Sequence, residues 1–361
     1  MRRKGAERDS IYMVVAKNIK YYRLIKSMSK KDLAEAVNVT PMAISNYESG
    51  KRKPEIDILK KIANVLGVRV VDFLTVRNEN IQFSHNEFRK SSSLPKNTQE
   101  YIFESIEEYF SRFMDAVEIL GGDVLPNFPK CHYLEITKDV EKDALNLRRY
   151  LGFADNGPID DLIGSLENKG FLVLLKEIND DKFSGINGFV NNHPYIMLNK
   201  KMTIERNRST IAHELTHLMF NWDNVDMNEK EIENYATAIG GAFLFPKEDA
   251  IRELGVHRKY VSKDMILVAT EYGISMFLLA KRAEILKIIS ESSSRKFYIL
   301  ASEKGWRKNE PSRIEKLERP ILFEQLVYRA INENEISIQR GAELLKKPYD
   351  EVANDCLFDN K

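Results

Sequence analysis

Two cysteines, Cys131 and Cys356, are all that the 361 residues hold. They are too few for a disulfide framework and lack the close pairing of a zinc knuckle, so both are expected as reduced structural thiols. No apolar run approaches the roughly 18 residues of a membrane-spanning helix. The N-terminal stretch Met1-Arg2-Arg3-Lys4-Gly5-Ala6-Glu7-Arg8-Asp9-Ser10 has no apolar core of the secretory kind. A cytoplasmic location and no membrane partner are the expectations. Net charge is scarce as well, +1 from 55 basic and 54 acidic side chains, yet residues 1–76 alone carry +8 and the remainder −7. A basic segment joined to an acidic one predicts a polyanion for the first and different work for the second. Histidine is the last scarcity: of six in the chain, two fall within five residues, at 213 and 217.

The length favours two or three domains, and 43% hydrophobic with 30% charged residues is ordinary globular composition. In the basic segment, Val14, Val15, Ile19, Tyr22 and Leu24 recur at helical spacing from Ile11 onward. Ser29, with Asp32 three positions on, predicts a capped short helix that ends at Asn38. Thr40 then caps a third helix that has Pro41 at its first position and stops at Ser49-Gly50. A fourth follows from Pro54 and Glu55 to Gly67. Two short helices joined by a tight turn inside a helical bundle are a helix-turn-helix, whose second helix enters the major groove of DNA. Thr40, Ser45, Asn46 and Glu48 are the polar residues on that helix.

Residues 33–66 resemble the Xre/lambda-repressor type of DNA-binding domain, most specifically in Ile44-Ser45-Asn46-Tyr47-Glu48-Ser49-Gly50-Lys51-Arg52-Lys53-Pro54. The resemblance implies base reading by Thr40, Met42, Ser45 and Asn46, phosphate contact by Lys51, Arg52 and Lys53, and double-stranded DNA as a partner.

The organisation expected beyond this domain (1–76) is a linker over 77–100, whose most linker-like patch is Ser91-Ser92-Ser93-Leu94-Pro95, then a second domain over 101–250 and a helical C-terminal region over 251–361. A helix near 97–120 carries an apolar stripe that either packs on its neighbours or forms a homodimer. Helical patterning recurs at 140–150 and 159–168. The period then changes. Residues 171–178 predict a buried strand, and 188–198 a hairpin turning at Asn191-Asn192, with an exposed sheet edge that could take an extended substrate. Residues 262–272 and 275–288 predict a helix pair around Gly273, Phe297-Tyr298-Ile299-Leu300 a short strand, and the last 40 residues helices with a scaffolding or sensing role.

The hairpin leads into Thr210-Ile211-Ala212-His213-Glu214-Leu215-Thr216-His217. Histidines four apart share one face of a helix and can bind a single ion, while the glutamate beside them is placed to act as general base in metal-assisted hydrolysis. A third ligand is needed. Glu229, Glu231 and Glu233 all stand near the start of a following helix rich in small residues. His85, His132, His193 and His257 read as surface or satisfied histidines, with His193, on the hairpin before the metal helix, the first candidate for an exception as ligand or oxyanion donor, and Tyr235 as packing rather than as a carbonyl-polarising group.

Taken together, Pro194-Tyr195-Ile196-Met197-Leu198-Asn199, Arg206-x-Arg208-x-Thr210 through His217, and Glu233-x-x-Ala236 running on to Ala242-Phe243-Leu244-Phe245-Pro246 resemble the ImmA/IrrE metallopeptidases. The resemblance implies Glu233 as third ligand beside His213 and His217, a bound Zn2+, Glu214 as catalytic base, and a repressor or other regulatory protein as substrate. Thr216 stands where that family usually has Gly, and Thr237 where it has Asn. The expected fold is mainly α with a small β-sheet: an all-α helix-turn-helix bundle, an α+β zincin-like domain and a helical C-terminal region. The expected function is a DNA-binding regulator with a zinc endopeptidase domain. The alternative is a transcription factor whose peptidase-like domain senses a ligand or holds a dimer.

Overall fold

The computed structural model describes residues 2–78, 81–85, 94–223, 225–307, 309–312 and 318–356, with the side chains of 2–10 and of His85 outside the description. Much of the expected linker, including Ser91, Ser92 and Ser93, therefore lies outside the described residues. The chain divides into two compact units.

The first unit holds the described residues up to 81, helix α5 as far as residue 118, and residues 344–346. Its elements are α1 (Arg2–Ile25), α2 (Lys30–Val37), α3 (Pro41–Glu48), α4 (Ile56–Leu66), a 3-10 turn at Val70–Leu74 and α5 (Lys96–Ile119). The expected caps are in place. The Ser29 hydroxyl oxygen accepts from the Asp32 N–H while the Asp32 carboxylate accepts from the Ser29 N–H, and the Thr40 hydroxyl oxygen accepts from the Ala43 N–H. Asn38 and Gly67 end α2 and α4 in the left-handed region, with φ 58° and 69°. Ile19, Leu33, Val37, Ile44, Ile62, Leu66 and Phe73 close the core.

Glu48 corrects the sequence reading. Instead of facing a groove of DNA it is buried, and both its oxygens take guanidinium hydrogens from the fully buried Arg23. A buried carboxylate needs such a partner to avoid a large desolvation cost. The stripe on α5 is likewise interior: Ile102, Ile106, Phe110 and Phe113 are buried, so the face offered for a homodimer is already covered. By its packing α5 sits with the first unit rather than at the head of the second.

The second unit carries a four-stranded sheet in the order β1-β4-β5-β3, from β1 (Phe83–His85), β3 (Leu172–Lys176), β4 (Gly185–Val190) and β5 (His193–Asn199). The β4–β5 hairpin turns at Asn191 and Asn192, both at positive φ, as an Asn-Asn two-residue turn requires. β3 runs parallel to β5. A second, two-stranded sheet joins β2 (Leu134–Glu135) in parallel to β6 (Phe220–Asn221). The helices are α6 (Val140–Tyr150), α7 (Leu162–Glu167), α8 (Ile204–Met219), α9 (Glu229–Leu244) and α10 (Lys247–Leu254), followed by α11 (Met265–Tyr272), α12 (Met276–Ile285), α13 (Glu291–Glu303), α14 (Leu322–Asn332), α15 (Ile338–Leu345) and α16 (Tyr349–Cys356). Among the described residues no helix is long and apolar enough to cross a membrane.

The expected strand at 297–300 is helical, within α13. Ser290 caps that helix, Phe297 and Ala301 point inward at a spacing of four, and Ile299 and Leu300 are exposed, which is a helical and not a strand pattern.

α8 packs on β4, β5 and α9, burying Ile211, Ala212, Leu215, Leu218 and Met219. Two buried arginines hold the last turn of α9, where carbonyls lack intrahelical partners. Arg148 donates to the carbonyls of Phe243, Ala154 and Gly157. Arg282 donates to the Phe245 carbonyl and, bidentately, to Glu141 at 2.8 and 2.9 Å. Fixing α9 at that end fixes the direction in which its first turns face α8.

Candidate functional site

Thr203 starts α8 by accepting from the Arg206 N–H, and the helix ends where Phe220 turns to extended backbone and enters β6. Within it the i, i+4 spacing brings the Nε2 atoms of His213 and His217 to 3.2 Å. Opposite them, α9 delivers Glu233, whose oxygens lie 3.5 Å from His213 Nε2 and 2.9 Å from His217 Nε2. These three are the one group of metal-capable side chains gathered among the described residues. A tetrahedral ion bound at about 2.0–2.2 Å sets its ligands about 3.3–3.5 Å apart. The observed triangle is close to that size, and two imidazoles with one carboxylate are a donor set that zinc accepts. The side chain of His217 is 10% exposed and that of Glu233 35%, so the cluster opens to solvent on the glutamate side.

The rival acids are placed elsewhere. Glu231 closes a capping box on Asn228, accepting from its N–H while the Asn228 side chain accepts from the Glu231 N–H. Glu229 lies in the same first turn, outside the cluster.

The close approach of α8 and α9 depends on Gly240. A Cβ at that position would lie 3.1 Å from the Ala212 carbonyl carbon and the His213 nitrogen, both backbone atoms that cannot swing aside. One turn earlier on α9, the Thr237 hydroxyl meets His213 Nδ1 at 3.2 Å. An Nδ1–H donated to that oxygen leaves the Nε2 lone pair facing His217 and Glu233. The threonine that departs from the family's usual Asn thus still orients a histidine. Thr237→Val is expected to weaken zinc binding by about 10–100-fold while Thr237→Ser retains it, measured by competition with a chromophoric chelator. Thr216, the other departure, is fully buried, and its hydroxyl donates to the His213 carbonyl at 2.7 Å. Its own carbonyl accepts from Trp222 Nε1, whose ring lies 5.7 Å from that of His217.

Glu214 points to the sheet side, where Asn187 of β4 donates to its Oε2. Asn187 is buried and was not singled out from the sequence; a polar residue in an otherwise apolar strand was the available signal. Tyr235 is held away from such chemistry by donating to the buried Asp143 at 2.8 Å, and burial followed by that carboxylate pushes its phenol well above the usual range. A hollow of about 420 Å³ is lined by Asp226, Met227, Glu231, Asn234, Tyr235 and Ala238. By helical spacing it uses the face of α9 opposite Glu233 and Thr237.

Of the remaining histidines, His257 is exposed, and His132 places Nδ1 3.3 Å from the Phe220 carbonyl. His193 is neither a surface nor a satisfied residue. It is half-buried against Phe128, its Nδ1 has no hydrogen-bond partner among the described residues, and burial lowers its pKa. The side chain of His85 lies outside the description. Burial pushes the Cys131 thiol up to about 12, in keeping with an inert structural role.

On the first unit, α3 leaves Thr40 and Met42 exposed, Met42 at 68%, with Ser45 and Asn46 half-buried beside them and Ile44 and Tyr47 turned into the core. Lys51, Arg52 and Lys53 are exposed in the loop that follows. The Lys53 ammonium lies 4.8 Å from the Tyr12 ring centre.

Family comparison matches residues 19–73 to the helix-turn-helix family and residues 167–284 to the IrrE N-terminal-like domain, a peptidase family. Among curated proteins, the endothelial differentiation-related factor 1 homolog of Xenopus laevis is 37% identical over 62 residues, 17% of this chain and 42% of that protein. Multiprotein-bridging factor 1 of Candida glabrata is 41% identical over 56 residues, 16% and 37% of the two. The chain thus spans less than half the length of these relatives. Among solved structures, Bacillus thuringiensis PlcR in complex with the peptide PapR7 and DNA covers 95% of both chains at 14% identity, but with a TM-score of 0.18 that carries no argument. One chain therefore joins an Xre-type helix-turn-helix domain to an ImmA/IrrE-type, peptidase-family domain.

Proposed function

We propose that the protein is a cytoplasmic DNA-binding regulator whose second domain is a zinc endopeptidase acting on a repressor or other regulatory protein. The observation that carries this reading is the convergence of His213 Nε2, His217 Nε2 and the Glu233 carboxylate beside Glu214. His213, His217 and Glu233 would hold zinc, which when bound supplies Lewis acidity toward water and a peptide carbonyl. Glu214 accepts the proton of the attacking water and returns it to the leaving amine. Asn187 holds the Glu214 carboxylate in orientation, and Thr237 does the same for His213. The test is cleavage of a candidate repressor protein: the zinc-loaded protein cuts it, a chelator abolishes cutting and added zinc restores it. A protein that retains no zinc and gains no stability from it would leave a sensing or dimerising role in place of catalysis.

In the same reading Thr40, Met42, Ser45 and Asn46 meet base edges, and Lys51, Arg52 and Lys53 meet phosphates. Replacing the three basic residues by alanine weakens binding to any duplex, specific or not, and lowers the slope of log K against log salt by about 0.9 for each phosphate that is no longer neutralised. Mobility-shift titrations across salt concentrations read both effects. An unchanged slope would remove the loop from the interface.

A further inference from the structure

The sheet edge expected to be open beside the metal helix is covered. β1 runs antiparallel along β4 with Phe83 opposite Val190, Ser84 opposite Phe189 and His85 opposite Gly188. Residue 82 extends the pairing, its carbonyl accepting from the Asn191 N–H at 3.0 Å and its N–H donating to Asn191 Oδ1 at 2.9 Å. The next residue of β4 beyond Gly188 is Asn187, which holds Glu214. β4 itself lies directly on α8: a Cβ at Gly185 would come within 2.6 Å of Thr210 Cγ2, three residues before His213. A strand on this edge therefore runs beside the metal cluster.

We infer that the β4 edge is a strand-addition site for an extended peptide, and that residues 82–85 of the chain occupy it in cis. Gly188 supports this independently, because any Cβ there would run into the Ser84 carbonyl oxygen as well as the Tyr195 hydroxyl, so the strand position accepts a neighbouring backbone only because it bears no side chain. The cis strand has three residues, with Ser84 exposed and Phe83 half-buried, and is paired to β4 by main-chain bonds. Such bonds recognise any extended backbone, so a peptide from another protein competes for the same edge on equal terms apart from the concentration advantage of the tethered strand. The consequence for cleavage, that a substrate must displace residues 82–85, rests on the peptidase reading. The binding does not.

The probe is a fluorescein-labelled synthetic peptide with the sequence of residues 78–90, titrated by anisotropy against the zinc-loaded full-length Glu214→Gln protein with and without Ser84→Pro. Proline cannot donate to the ladder, so the variant frees the edge. The expected result is at least about ten-fold tighter binding to the variant, with the Phe189 and Asn191 amides, which face this edge, exposed to hydrogen exchange until the peptide is added. A peptide carrying proline at the position of Ser84 fails to bind either protein. Equal affinity for both proteins, or no binding to either, overturns the inference. Phe83→Gly serves as a second release variant, and thermal melting shows that both are folded. With Glu214 intact, a peptide that binds but is not cut sinks the peptidase reading and leaves the strand site standing, whereas cutting of a repressor without peptide binding does the reverse.

Discussion

Glu214→Gln is expected to keep the metal and lose the cutting, with kcat on the repressor substrate falling by about 10²–10⁴-fold, the usual contribution of a positioned general acid–base. Metal retention follows from the proposed donor set of His213, His217 and Glu233, which does not include this carboxylate. Shape is retained too. A glutamine oxygen can still accept from Asn187, so the side chain keeps its tether to β4 while losing the ability to take a proton. Zinc content by elemental analysis and single-turnover cleavage should therefore separate in this variant. A variant that cuts at the wild-type rate would remove Glu214 from the mechanism, and one that loses zinc along with activity would show that the carboxylate serves the site rather than the chemistry.

The parts of this arrangement that were legible in the sequence are those with local causes. The capped helices around Thr40 are one case, the Asn191-Asn192 turn another, and the i, i+4 histidines a third, since each depends on residues within one or two turns of each other. The hidden parts depend on partners far along the chain. β1 is three residues in a polar stretch, and its partner Val190 lies more than one hundred positions away, so neither length nor alternation marked it. Asn187 acquires meaning only when β4 is laid on α8, and Thr237 only when Gly240 lets α9 close on His213. Glu48 looked available because it stands on the second helix of the helix-turn-helix; nothing local announces that Arg23, 25 residues earlier, will bury it. The run at 297–300 misled for the opposite reason. Four aromatic and aliphatic residues in a row have no period of their own, and only the flanking Ser290 and Ala301 reveal the helix.

Glu233 is the proposed third ligand, placed within reach of both histidines, and Glu233→Ala tests it. Loss of an outer partner of a metal-binding histidine costs about 10–100-fold in affinity; loss of a direct ligand from a three-residue set should exceed about 100-fold, and more than Thr237→Val does. The effect is readable without any substrate. At free zinc about 100 times the wild-type Kd, binding stabilises the folded protein by about 2.7 kcal/mol, whereas a variant with a Kd 100-fold weaker gains only about 0.4 kcal/mol under the same conditions. The zinc-dependent rise in Tm should accordingly almost vanish in Glu233→Ala. Glu231→Ala makes the control: it opens the capping box on Asn228 and costs about 1 kcal/mol of helix stability with or without metal, leaving the zinc-dependent increment as it was. If instead Glu231→Ala abolished the increment while Glu233→Ala preserved it, the direction in which α9 meets the histidines would have to be redrawn, because 231 and 233 lie on opposite faces of that helix.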